Sequence, residues 1–508
     1  MAVRDGVIAW LGSDAVAGAQ FPDAETVDLA GAFVAPAFVD SHVHLTATGL
    51  RITGLDLSPA RGPDDLLRRI AEHAAAHPGR PVWGHGWDDT HWPRTPDTTE
   101  VDAAVGNAPA YLARIDVHSA LASSALRGSV PGLAGVAGFD PQRPLTAEAH
   151  HLVRAEARRL LTWQQGDDAR RAALAAAATN GIVAVHECAG PDIAGPEDWA
   201  ELRGSCHGVE IVGYWGEPVS TVAQARALID ATGARGLGGD LFVDGALGSR
   251  TAWLSEPYSD APDCTGTRYL DGGEVTEHLS VCTEAGITAG FHVIGDAAVT
   301  AVVDALERVV ARFGAPAVAR CGHRLEHLEM VSAEQAAKLG QWGITASMQP
   351  NFDARWGGGE GMYARRLGAA RAAGLNPFAL LASAGVPLAF GSDSPVTGMN
   401  PWSWVQAASH HRTGGSSISM RAAFAAATRG GWRAGGVRDG LTGTLVPGAA
   451  ASYAVWETGE LDVSVPADAV QRWSTDPRSR IPALPRLDPG AALPTCRQTV
   501  HRGVALHG

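Results

Sequence analysis

Two histidines separated by one residue, His42 and His44, close the apolar run that extends from Phe33 to Ser41. Facing in a β-strand repeats every two residues, so both imidazoles leave the same face at the strand's carboxyl end. Imidazole is the commonest protein ligand for zinc-like metals, and two on one strand make half a site. The placement recurs along the chain. His292 follows the short strand-like run 285–290 and precedes a helix expected over 297–313, with Asp296 as its N-cap. His327 ends Arg324-Leu325-Glu326 and precedes a helix-like stretch over 332–339, and Asp393 ends the apolar run that starts at Val386. Taken singly, each is ordinary: His292 or His327 as a hydrogen-bonded core histidine, Asp393 as a turn former before Pro395. Together they are four histidines and a carboxylate at four separate strand ends. In a parallel barrel those ends converge on one rim, where the loops after the strands build active sites.

The rest of the chain suits that architecture. Strands alternate with Ala/Arg-rich helices, the pattern of βα units around a parallel sheet, with helices expected over 147–164 and 167–179, the second running into the strand 182–186. The stretch 58–144 is too long for one βα loop. The Gly- and Arg-rich run 355–374 is the best candidate for a mobile loop or lid. Both chain ends are Gly-punctuated β material; the opening Val3 to Gly12 reads as hairpin strands already under way, implying an earlier strand. No uncharged apolar run approaches about 18 residues and no basic-then-apolar leader is visible, so neither a membrane span nor a secretory signal is expected. A net charge of −14 argues against nucleic acid or anionic membrane as a partner. The six cysteines, Cys188, Cys206, Cys264, Cys282, Cys321 and Cys496, form no close pair, which points to reduced thiols in a cytoplasmic protein. Cys188, near a strand end, reads as a buried structural thiol.

Seven segments carry a family resemblance: 38–45 (Phe-Val-Asp-Ser-His-Val-His-Leu), 84–88, 113–118, 241–252 (Leu-Phe-Val-Asp-Gly-Ala-Leu-Gly-Ser-Arg-Thr-Ala), 292–296, 324–327 and 391–396. In type and order they resemble the metal-dependent amidohydrolase superfamily, in the branch called amidohydrolase 3 that includes N-substituted formamide deformylases. The resemblance implies an α/β fold, a (β/α)8 TIM-like barrel with a small β-sandwich formed from both chain ends. It divides the chain into 1–37 (sandwich), 38–440 (barrel, with an insertion at about 58–144 over the mouth) and 441–508 (sandwich). It also implies that His42, His44, His292, His327 and Asp393 hold a divalent metal, one or two ions. Asp393 would serve as ligand and as proton shuttle. Zinc suits so nitrogen-rich a set best, with iron or manganese as alternatives. A homodimer is a family-level expectation.

One departure stands out. Many members carry a lysine immediately before Leu-Phe-x-Asp-Gly; carboxylated by carbon dioxide, it bridges two metals. Here that position is Asp240, and the only lysine of the chain is Lys338, in an amphipathic segment. A Schiff-base lysine and a P-loop lysine are excluded on the same ground. Asp240 either ligates or bridges metal itself, sharing a strand face with Phe242 and Asp244, or faces solvent beside a single metal; Glu187, at the end of 182–186, is a second carboxylate that could substitute. The missing lysine tips the balance toward a mononuclear or unevenly occupied site.

Weaker candidates surround this set. Trp87, His85 and His118 come from the insertion and are read as lining a substrate cavity; Asp244 and Arg250 as binding substrate or locking the rim loop. His323 and Glu326 neighbour His327 and could orient it, Asp40 supports the His42/His44 strand end, and His410 and His411 read as helix-surface residues. The chemistry that follows is hydrolysis of a non-peptide carbon–nitrogen bond in a small molecule, an amide, formamide or cyclic amide, by metal-activated water. The alternatives are a mononuclear amino-heterocycle deaminase and a catalytically silent barrel acting as a binding protein.

Overall fold

The computed structural model describes residues 1–205, 207–462 and 481–508. Eight parallel strands form one sheet in chain order: Phe38–Val43, Ile182–Ala189, Glu210–Trp215, Gly236–Leu237, Thr288–Val293, Arg324–His327, Thr345–Met348 and Leu388–Phe390. A parallel sheet wrapped by helices is buried on both faces, so its strands read as continuous apolar runs rather than alternating ones. All eight residues of Ile182–Ala189 are buried, as are all six of Thr288–Val293. The curved sheet closes on itself through a parallel bridge between Val43 and Ser394: the Asp393 N–H donates to the His42 carbonyl at 2.8 Å, and the His44 N–H to that of Ser394 at 2.9 Å. Asp40 staples the seam, accepting the Ser392 N–H (2.8 Å) and hydroxyl (2.5 Å). Burial drives the Asp40 pKa up to about 6, although Ser392 and His42 pull it down.

The apolar run that opens on Phe33 is two strands, not one. Phe33–Pro36 pairs antiparallel with Tyr453–Glu457, in a four-stranded sheet completed by Thr495–His501 and Val504–His507. After Ala37 the chain enters the barrel. Phe38 fastens the two sheets together. Its ring meets Trp402 at 5.1 Å, Phe424 at 5.2 Å and Trp456 at 5.8 Å, all edge-on, the favoured aromatic geometry. Of the expected C-terminal β material, 463–480 lies outside the described residues, as does Cys206.

Between Leu55 and Thr146 the chain forms its own five-stranded mixed sheet: Leu55–Asp56, Val82–Trp87 and Ala110–Arg114 run parallel, and Ser119–Ala122 and Leu145–Thr146 are added antiparallel. Helix Leu45–Thr53 leads into this sheet and packs so closely on helix Trp163–Thr179 that a Cβ on Gly49 would fall 1.8 Å from the Ala169 carbonyl oxygen. Two helix boundaries and one expected loop differ from expectation. The helix expected over 147–164 stops at Arg159, because Thr162 opens the next helix with a capping box to Gln165. Gly295, not Asp296, caps helix Asp296–Phe313, and Asp296 instead accepts the Ser255 N–H. The Arg-rich run 355–374 contains helices Met362–Leu367 and Ala369–Ala372, whose arginines are anchors: Arg366 binds the Gly248 carbonyl and Asp260, and Arg371 the Pro257 carbonyl. No described helix is long and apolar enough to cross a membrane.

Truncating Phe38 to alanine removes the ring that three aromatic partners share. We expect Phe38→Ala to destabilise the protein by about 3–5 kcal/mol, read as a lowered midpoint in thermal or urea denaturation followed by circular dichroism.

Candidate metal centre

The strand ends deliver their side chains to one point. The Asp240 carboxylate lies at the middle of four imidazoles: Oδ2 is 3.1 Å from His44 Nε2, and Oδ1 is 3.4 Å from His42 Nε2, 3.4 Å from His292 Nδ1 and 3.8 Å from His327 Nε2. Asp393 Oδ1 adds contacts of 3.5 Å to His42 Nε2 and 3.3 Å to His44 Nε2. Three groupings of these donors place every ligating atom within 4.8 Å of the others: His42, His44 and Asp240; Asp240, His292 and His327; His42, His327 and Asp393. His42 Nε2 and His327 Nε2 are buried without a hydrogen-bond partner. A buried polar atom with no partner carries a desolvation penalty, so two of them aimed into a nest of carboxylates and imidazoles fit a cation. Burial disfavours the charged form of His44, yet the Asp240 and Asp393 carboxylates push its pKa up to about 9. Asp240 is held well below the usual carboxylate range by His42, His292 and His327, against the opposing effect of burial.

Surrounding contacts set which nitrogen of each ring is free. The His42 Nδ1–H donates to Glu326 Oε2 at 2.8 Å and the His327 Nδ1–H to Gln349 Oε1 at 2.7 Å, leaving each Nε2 lone pair facing the cluster. His292 is turned the other way: its Nε2–H faces the Gly245 carbonyl at 3.3 Å, so Nδ1 points at Asp240. Partners of this kind fix ring orientation and raise ligand basicity. Glu326 is itself gripped by Arg324, which also donates to His186 Nδ1 (2.9 Å), the Ser41 carbonyl (2.6 Å) and the Ser347 hydroxyl (2.8 Å). Burial favours the neutral acid, but Arg324 and His42 hold the Glu326 carboxyl well below its ordinary value. The backbone is bent to the same end: His327 (φ 69°) and Asp393 (φ 51°) adopt the left-handed region that non-glycine residues rarely occupy.

The remaining candidates fall into three sets. His118 lines the cavity above the cluster, its ring 5.0 Å from that of His292, and burial keeps it uncharged with a pKa far below the ordinary value. Asp116, Glu329 and Tyr363 line the same cavity, with Leu247, Ile294, Phe352, Trp356, Met362 and Val396 as its apolar wall; among the described residues no lysine or arginine lines it. A second set is structural. Trp87 is packed in the core of the inserted sheet, its indole N–H donating to the Leu112 carbonyl at 2.7 Å, and His85 lies in that sheet accepting from Trp83. Asp244 does not face the cluster: it accepts the N–H groups of Trp253, Ile294 and Gly295, and burial lifts its pKa to about 7. Arg250 forms a two-bond ion pair with Asp260 (3.0 and 2.7 Å) at the protein surface. Glu187 accepts the Leu45 N–H and so holds the start of a helix. His323 is consumed by the Ala289 N–H and the Thr283 hydroxyl. His410 is exposed, whereas His411 is buried against Asp353 and Phe378. Cys188 is a buried thiol pushed up to about 12 by burial.

The third set escaped sequence reasoning: Gln349, the Gly245 carbonyl, and the Arg324–His186 support beneath Glu326. The rule that found the histidines would have found Gln349, which directly follows the seventh barrel strand; a backbone carbonyl leaves no mark in a sequence. Asp240, Phe242 and Asp244 do not share a regular strand face either, because the fourth strand ends at Leu237 and continues irregularly.

A family model described as "Amidohydrolase family" matches residues 25–507. The protein LONG AFTER FAR-RED 3 of Arabidopsis thaliana is 28% identical over 505 residues, covering 91% of this chain and 84% of that protein. The N-substituted formamide deformylase of Arthrobacter pascens is 25% identical over 437 residues, 78% of each chain. Among solved structures, an uncharacterized metal-dependent hydrolase from Pyrococcus furiosus superposes with a TM-score of 0.67 at 25% identity, over 89% of this chain and 93% of that one.

Two substitutions separate orientation from packing. Glu326→Gln, which loses the charge that holds the His42 ring, is expected to weaken metal retention about 10–100-fold in competition with a chelator while circular dichroism stays unchanged. Trp87→Phe should lower the thermal midpoint and leave metal content as it is.

Proposed function

Because the chain belongs to the amidohydrolase family, we propose that it is a metal-dependent hydrolase of carbon–nitrogen bonds other than peptide bonds, acting on an amide, formamide or cyclic amide. The observation that carries this reading is the meeting of Asp393, Asp240 and four imidazoles at a cavity whose far wall is apolar. His42, His44, His292, His327, Asp240 and Asp393 are the residues that would hold a divalent cation, zinc being the natural choice for so many nitrogens. Such a cation supplies Lewis acidity and brings the ionisation of water from a pKa of 15.7 down to about 7.

The side chains do the rest. Asp393, on the closing seam with an oxygen between His42 and His44, takes a proton from the attacking water and returns it to the leaving nitrogen, base and then acid. The carbon–oxygen bond forms first and the carbon–nitrogen bond breaks once its nitrogen is protonated, so water is consumed and an acid and an amine are released. His118, kept neutral by burial, presents an uncharged imidazole at the cavity wall, suited to donating a hydrogen bond to the substrate oxygen without a competing positive charge. Phe352, Trp356 and Met362 exclude water and accept an apolar substituent, and with no arginine or lysine in the wall an uncharged acyl amine fits better than one bearing a carboxylate. The similarity to an N-substituted formamide deformylase supports the same substrate class. Likeness to a metal-dependent hydrolase supports the cation.

The test is a panel of N-formyl and N-acyl amines assayed for paired release of acid and primary amine. Exhaustive chelation should abolish turnover, added zinc should restore it, and Asp393→Asn should lower kcat by about 10²–10⁴. Ammonia release from amino-heterocycles, with no amine from any amide, would move the protein to the deaminases.

A further inference from the structure

We propose that the junction between the inserted sheet and the barrel is an anion site, at which Arg154 and Arg158 hold a phosphate group, free or as a small monoester. The site is separate from the cation centre, and the inference does not depend on the hydrolase reading. It starts from helix Ala147–Arg159, where His150, Arg154 and Arg158 follow one another at four-residue intervals and so share one face. That face is turned toward the protein. His150 is fully buried, Arg154 is 8% exposed and Arg158 is partly buried, and the helix packs on strands Ala110–Arg114 and Ser119–Ala122 of the inserted sheet. Two like charges one turn apart repel each other, and burial removes much of the water that would screen them.

The other buried arginines show what this pair lacks. Arg114 meets Asp88, Asp89 and Asp116, Arg170 meets Asp198 and Glu201, Arg324 meets Glu326, and Arg366 meets Asp260. Arg127 donates to three main-chain carbonyls, those of Ala122, Asp140 and Arg143. Arg154 has one bond, at 2.7 Å to the Asp192 carbonyl in the loop after the second barrel strand, and its Nε is buried without a partner. Arg158 makes neither a hydrogen bond nor an ion pair among the described residues. Two carboxylates act on it from a distance, but Asp198 is engaged by Thr46 (2.9 Å) and Arg170 (2.8 Å), and Asp192 is exposed. Burial and the charge of Arg154 push the Arg158 pKa down to about 9. A guanidinium keeps its proton at neutral pH all the same, so the unbalanced charge remains until an anion arrives.

Unpartnered nitrogens extend the site. The Tyr111 hydroxyl meets His150 Nε2 at 2.8 Å, which leaves Nδ1 of that ring buried and alone. Ring contacts continue from Tyr111 to Trp83 (4.6 Å) and from Trp83 to His85 (5.7 Å). His85 accepts the Trp83 indole N–H on Nε2, so its own proton sits on Nδ1, again buried without a partner. Burial, with Arg51, Arg158 and Arg154 acting in the same direction, pushes the His85 pKa down to about 3. Water can meet single N–H groups, but it does not offset two positive charges. Each guanidinium presents a planar fork that matches a pair of oxygens, and a phosphate group carries close to two negative charges near neutral pH. The residue after His150 ties the site to the cation centre: His151 stacks on Tyr269 (5.5 Å) and rests against Phe242, whose ring lies 5.0 Å from that of His292.

The experiment is isothermal titration calorimetry of the full-length protein with inorganic phosphate, methyl phosphate and formate, before and after metal is removed by a chelator. The expected result is one phosphate per chain with a Kd of about 1 mM or below, weaker binding of formate, and the same phosphate affinity with and without metal. Methyl phosphate separates the sources: matching affinity points to a monoester, exclusion points to the free anion, and either upholds the site. Arg154→Gln and Arg158→Gln should each weaken phosphate binding about tenfold or more. Thermal denaturation guards against a variant that merely misfolds. In phosphate-free buffer Arg158→Gln should melt no lower than the unaltered protein, because an unbalanced charge is gone, whereas phosphate should raise the midpoint of the unaltered protein alone. Arg158→Lys, which keeps the charge, should retain part of that rise. Absence of saturable phosphate binding, tighter binding of formate than of phosphate, binding that disappears with the metal, or undiminished binding in both glutamine variants would each overturn the proposal.

Discussion

Everything at the candidate metal centre depends on how the barrel shuts. The first and eighth strands meet through the Val43–Ser394 bridge, with the N–H of Asp393 on the carbonyl of His42 and that of His44 on the carbonyl of Ser394. A single backbone hydrogen bond contributes only about 1 kcal/mol net, so these contacts matter less for stability than for register. They fix three of the six donor residues to one another through the main chain. A slip of one residue along either strand would turn the alternating side chains to the wrong face. Asp40, completely buried and spent on Ser392, locks the register further.

Around that seam the protein has invested its polar groups in orientation. Glu326, Gln349 and the Gly245 carbonyl each take one ring N–H, and Arg324 braces Glu326 against the floor of the barrel. Burying so many polar and charged groups is tolerable only because nearly all are paired with one another. His42 Nε2 and His327 Nε2, which face Asp240, are among the buried atoms left without a partner. Strain follows the same logic: left-handed backbone at His327 and Asp393 costs of order 1–3 kcal/mol each and places both side chains inward at the rim.

The sequence displays the regular part of this plan and conceals the irregular part. The strand-end histidines and Asp393 were legible because strand periodicity and chain order alone put them on one rim. Asp240 was ambiguous because its segment is not a regular strand, and period-two reasoning does not apply there. Trp87 shows the reverse error, and Arg250 takes the structural one of its two readings. Both sit inside segments that match a family, but such matches do not distinguish a residue that touches substrate from one that packs a core or closes an ion pair. Thr162 illustrates a smaller loss, since its capping box with Gln165 was visible in the sequence yet was overridden by an unbroken helical pattern. Gln349 was available to the very rule that found its neighbours; the Gly245 carbonyl was available to none.

The four-stranded sheet has a consequence for how the molecule is made. Its edge near the barrel, Phe33–Pro36, leaves the ribosome before any barrel strand, whereas its partners Tyr453–Glu457 and Thr495–His501 follow only after all eight. Throughout synthesis the nascent chain therefore carries an apolar strand edge with nothing to pair with, directly ahead of the first pair of imidazoles. Pairings of such sequence separation are slow to form and leave unsatisfied edges open to association with other chains. Completing the barrel and covering that edge are thus joined at Phe38, and a chain that stops short of its final strands forfeits protection at its beginning as well as structure at its end.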